Sequence, residues 1–85
     1  MSESEERSDQ DFLRREIESV LMEQHGPMIG GHSLSQALGY PSYDAFCQAV
    51  QRKQVTVPIF QIANRRGRFA LTRDVAIWLV AQRDG

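Results

Sequence analysis

Along residues 55–71 the apolar spacing changes period, and this change limits the possible folds more than any other feature of the chain. VTVPIFQIA (55–63) is rich in β-branched and aromatic residues, RFAL (68–71) answers it, and NRRG lies between. That is the signature of a strand, a tight loop and a returning strand. With residues 64–67 as the loop, Ala63 pairs with Arg68, Ile62 faces Phe69 and Phe60 faces Leu71. This register sorts Phe60, Ile62, Phe69 and Leu71 onto one face, with Gln61, Ala63, Arg68 and Ala70 on the other. A slip of one residue would mix the two sets. Gly67 suits the positive φ such a loop needs, and Pro58 is tolerable only at a strand start or edge.

The remaining apolar spacing is helical. Leu13, Ile17, Val20 and Leu21 share one face of an amphipathic helix over residues 8–26, opened by Ser8 and stopped by Gly26 and Pro27. The acidic residues 1–7 before it are expected to be disordered. Gly30 and Gly31 read as a flexible joint. Ser33 and Gln36 form a capping box for a short helix that ends at Gly39. Ser42 caps the next helix, with Asp44 in its first turn and Ala45, Phe46, Ala49 and Val50 on its buried side. Thr72 caps a closing helix whose core face is Val75, Trp78 and Leu79. Ile77, Val80 and Ala81 lie mostly outside that face, so this helix needs a second apolar partner, either the N-terminal helix or another copy of the chain.

Length and composition allow one small domain. Eighty-five residues, 41% of them hydrophobic, support a modest core and make oligomerisation a reasonable expectation. The single cysteine, Cys47, rules out an intramolecular disulfide. No apolar run approaches the ~18 residues of a membrane span, and MSESEERSDQ lacks the layout of a signal peptide. A soluble, cytoplasmic protein with no membrane partner is expected. The net charge of −1 conceals an asymmetry: residues 1–31 carry three arginines against eight acids, and residues 32–85 carry seven bases against three acids. Such a split suits a basic binding face with an acidic appendage.

The order of elements over residues 33–80 resembles the small winged helix-turn-helix proteins of the excisionase and MerR-like type. The likeness rests on ALGYPS (37–42) between two helices, an X-Pro strand, the arginine-rich tip NRRGRF (64–69), and the closing TRDVAIWL (72–79). It implies a mainly α fold with a small β-hairpin, a winged helix-turn-helix over residues 32–85 preceded by the extra N-terminal amphipathic helix. In that family the helix after the turn enters the major groove and the hairpin touches the neighbouring backbone. On this chain the groove-facing residues would be Ser42, Tyr43, Gln48, Gln51 and Arg52, and the wing residues Arg65, Arg66 and Arg68. The link RKQVTVP (52–58) lacks the glycine usual at that point in the family.

The residues themselves allow this chemistry. Glutamine can bond adenine and arginine guanine, while clustered guanidiniums bind phosphate. Tyr43 could instead cover the turn together with Tyr40. No catalytic grouping and no cofactor motif is present, and His25, His32 and Cys47 lack metal-ligand spacing, so neither an enzyme nor a metal protein is expected. Two functional readings follow. The first is a dimeric protein that binds double-stranded DNA, a small transcriptional regulator or mobile-element accessory factor, paired through Leu13, Ile17, Val20, Leu21, Ile77 and Val80. The second is a protein–protein interaction module on the same scaffold, without nucleic-acid binding.

Overall fold

The computed structural model describes the backbone of residues 2–84 and the side chains of residues 9–83. The element order is α1 (Ser2–His25), β1 (Met28–Gly30), α2 (Gly31–Ala37), α3 (Tyr43–Gln51), β2 (Phe69–Leu71) and α4 (Thr72–Asp84). The chain is therefore mainly helical with a small antiparallel β element, as expected. Among the described residues, no helix is long and apolar enough to cross a membrane.

α1 packs along α4 and touches β1. Leu13, Ile17 and Leu21 are half-buried, and Leu21 reaches the core. The chain's own N-terminal helix thus packs against the apolar closing helix. The backbone is helical from Ser2, so the expected start at Ser8 lies inside the helix. The reason is compositional: glutamate is a good helix former and is favoured near the positive end of the helix dipole. Arg14 and Glu18 add an i,i+4 ion pair at 2.6 Å. The Gly26 amide donates to Met22 at 2.9 Å and Pro27 blocks any further turn.

The sheet differs most from expectation. β1 pairs antiparallel with β2, Met28 opposite Leu71, Ile29 opposite Ala70 and Gly30 opposite Phe69. Gly30 is thus a strand residue, not a joint. A Cβ there would lie 2.3 Å from the Phe69 ring, so only glycine lets the two backbones pair with that ring in place. Because β1 occupies one side of β2, residues 55–63 contribute only Phe60 to the ladder, bonded reciprocally to Phe69 at 2.9 and 2.8 Å. The expected register is therefore corrected: Phe60 faces Phe69, and Leu71 faces Met28. The faces are corrected too. Ala70 is fully buried beside the fully enclosed Ile29, whereas Leu71 is exposed and the Phe60 and Phe69 rings stack 6.2 Å apart at half-burial.

The core is Ile29, Leu34, Leu38, Phe46, Val57, Ala70 and Val75. α2 starts two residues before Ser33, from an extended Gly30 with no side-chain cap, so the expected capping box is absent. Its start is set instead by tertiary bonding, since the Gly31 amide donates to the Arg68 carbonyl at 3.1 Å. Its end follows expectation. Gly39 has φ 85°, its amide reaches Gln36 at 3.0 Å and the Tyr40 amide reaches Ser35 at 2.9 Å. These are the two bonds of a Schellman turn, in which glycine takes the left-handed residue at least cost.

Thr72 has a different role from the cap expected. It is fully buried, its hydroxyl donates to the Gly26 carbonyl at 2.6 Å, and its amide donates to Pro27 at 2.9 Å. It ties the start of α4 to the turn after α1. Replacing it with valine keeps the shape but leaves the Gly26 carbonyl without its side-chain donor. The expected loss is about 1–3 kcal/mol in urea unfolding, with Thr72→Ser losing less. Equal stability of Thr72→Val and wild type would show that this bond does not hold α1 in place.

Candidate nucleic-acid interface

α3 forms because Ser42 caps it, its side chain accepting from the Ala45 amide at 3.0 Å, and because Asp44 sits in the first turn. Phe46 and Ala49 turn inward. Asp44, Gln48, Gln51 and Arg52 are exposed on the opposite side, a stripe set by helical spacing alone. Three of the expected groove residues, Gln48, Gln51 and Arg52, therefore share one accessible face, with Ser42 exposed at its N-terminal end.

Tyr43 is placed differently. It is half-buried, its ring lies 6.0 Å from that of Phe46, and Tyr40 lies 5.6 Å from the same ring. The two tyrosines flank Phe46 and cover the turn between α2 and α3. A Cβ on Gly67 would lie 3.5 Å from the Tyr43 hydroxyl, so this side chain bridges α3 to the arginine loop. Burial and the neighbouring Cys47 thiol push its pKa above the usual tyrosine value, against the opposing pull of Arg68. Tyr43 is thus a neutral spacer at physiological pH, one that sets the distance between helix and loop.

The loop itself is exposed from Ala63 to Arg66. The Arg65 amide donates to Ile62 at 3.0 Å, and Asn64 and Gly67 take positive φ values of 66° and 100°. Arg65 and Arg66 are exposed, whereas Arg68 is half-buried next to its bond with Gly31. None of Arg52, Arg65, Arg66 and Arg68 is ion-paired with a described residue. The acidic helix α1 lies on α4 and β1, and the ion pair among its described residues is internal, Arg14 with Glu18. Free guanidiniums on one loop beside a polar helix face are an electrostatic footprint suited to a polyanion.

The residues expected to pair two copies divide. Val80 is buried at 8% exposure and Leu21 packs on the core, so both serve the chain's own fold. Val80 faces inward because α1 covers the side of α4 that helical periodicity left unassigned. Val20 and Ile77 are exposed, while Leu13, Glu16, Ile17, Val20 and Leu21 line a shallow groove on α1. Among the described residues, no group of three or more His, Cys, Asp or Glu side chains is placed to hold a metal ion. Sequence reasoning missed Lys53, which lies in the turn just after Arg52 with φ 59°. No protein-family model, curated protein or solved structure matches the chain.

Proposed function

We propose that this chain is a winged helix-turn-helix protein that binds double-stranded DNA. In this reading α3 presents Gln48, Gln51 and Arg52 to the major groove, and the loop carrying Arg65, Arg66 and Arg68 acts as the wing on the adjoining backbone. The observation that carries it is the set of guanidiniums, unpaired with any described residue, on a loop that lies beside Tyr43 at the first turn of α3. Phosphate contacts supply affinity and glutamine–adenine or arginine–guanine pairs supply selectivity. The protein would work in the cytoplasm as a small regulator or accessory factor, without a catalytic role. Titrating a labelled duplex at two salt concentrations tests this; affinity that is absent, or unchanged between 50 and 200 mM salt, contradicts phosphate binding.

Self-association belongs to the same reading, and a specific observation favours it. Phe12 (65% exposed), Val20 (53%) and Met22 (42%) leave apolar surface on α1 after α4 has been covered. A second copy meeting α1 on the side shared by Phe12 and Val20 would bury both residues. Val20→Glu costs the monomer little, because the side chain is already in water. It is expected to lower the dimer fraction about tenfold in sedimentation equilibrium, since pairing would bury an unmatched carboxylate. A wild type that stays monomeric at high micromolar concentration would exclude the pairing. The same exposed residues support the second reading, a protein-interaction module, which gains if duplex binding is absent while α1 variants lose a polypeptide partner.

A further inference from the structure

The two Schellman turns of this chain differ in one residue. At the end of α2 the left-handed position is Gly39, with φ 85°. At the end of α3 the same bonds recur, Lys53 to Val50 at 3.0 Å and Gln54 to Ala49 at 2.9 Å, but the left-handed residue is Lys53 at φ 59°. An L side chain is disfavoured there by contact between Cβ and the backbone, which glycine avoids. Strain of this kind at an exposed site is an observation that calls for a function. The Lys53 side chain is exposed and has no hydrogen bond or ion pair to a described residue. The Ala49 and Val50 carbonyls at the end of α3 are already satisfied by these two backbone bonds, with Arg52 as the C-cap residue.

Position supplies the function. The arginine loop meets α3 at Tyr43, its first residue, whereas Arg52 and Lys53 lie just past its last, Gln51. The nine residues of α3, at about 1.5 Å each, make the helix between these two ends about 13 Å long. The major groove of B-DNA is about 12 Å wide, with a phosphate ribbon on each side. We infer that Lys53 is a phosphate-binding residue, held in the left-handed turn so that it anchors one ribbon while the arginine loop anchors the other. The inference rests on the duplex-binding reading and adds to it a second anchor, with Gln48 and Gln51 suspended between the two.

The test uses the opposition between strain and binding. Lys53→Gly relieves the backbone and is expected to raise the Tm by roughly 4 °C. It should also weaken duplex binding about fivefold at low salt and make the salt slope shallower by about one. Lys53→Arg keeps both charge and strain, and should retain wild-type affinity and Tm. A duplex-binding wild type matched by Lys53→Gly in affinity and slope overturns the second anchor and leaves the parent reading intact. A Lys53→Gly protein with a lower Tm would also overturn it, because the lysine would then be serving the helix end. Absence of salt-dependent binding in wild type removes both.

Discussion

Phe46→Ala is expected to cost about 3–5 kcal/mol and to leave a large unfolded population at 25 °C. Phe46 is fully enclosed and is the largest of the fully buried side chains. It sits between the rings of Tyr40 and Tyr43 and closes the core under α2 and α3. Alanine removes most of the apolar contact that joins these helices and leaves a cavity that two tilted tyrosines cannot fill. A domain of this length has roughly 4–13 kcal/mol of total stability, so the loss is comparable to the whole at the lower end. Urea unfolding followed by far-UV circular dichroism reads it, and Phe46→Leu should lose far less because most of the volume remains. A loss under about 1 kcal/mol for alanine would mean that α3 is held by something other than its inward face. Since α3 carries Gln48, Gln51 and Arg52, its loosening should abolish duplex binding in parallel.

The second large effect concerns binding alone. Arg65→Ala/Arg66→Ala should weaken duplex affinity about ten- to hundredfold at low salt, roughly 0.7–1.4 kcal/mol per phosphate contact. The logarithmic salt slope should become shallower by about two, one for each guanidinium removed. Both side chains are exposed and unpaired with any described residue, so Tm should stay close to wild type. Loss of affinity without loss of stability separates this variant from Phe46→Ala. Arg68 would be a poorer choice, because it is half-buried and its backbone holds Gly31. An unchanged affinity and slope would return the loop to a solvated turn, and the exposed apolar face of α1 would become the stronger guide to function.

Much of the site is legible in local signals. Ser42 caps α3 as its residue type demands, Gly39 takes the left-handed turn, and Phe46 and Ala49 point inward at helical spacing. The exposed stripe of Gln48, Gln51 and Arg52 follows from that periodicity. Tyr43 was harder to read. Its ring could point to solvent or to the turn, and only its contacts with Phe46 and the loop decide. Lys53 escaped notice because a lysine after an arginine carries no visible sign of left-handed backbone, which arises only once both Schellman bonds close. β1 escaped because Met28, Ile29 and Gly30 are too few to show alternation.

The amino-acid order alone determined where α1 and α2 stop, which face α3 turns inward and where the arginines gather, because caps, turns and helical spacing act over a few neighbouring residues. Only the tertiary structure decided that Met28 to Gly30 would pair with Phe69 to Leu71, that Ala70 would enter the core in place of Leu71, and that α1 would cover Val80. Those outcomes depend on strands and helices distant in the chain competing for the same backbone groups and apolar surface. Such a competition is settled by burying Ile29 and Ala70 together, which no local window of sequence reveals.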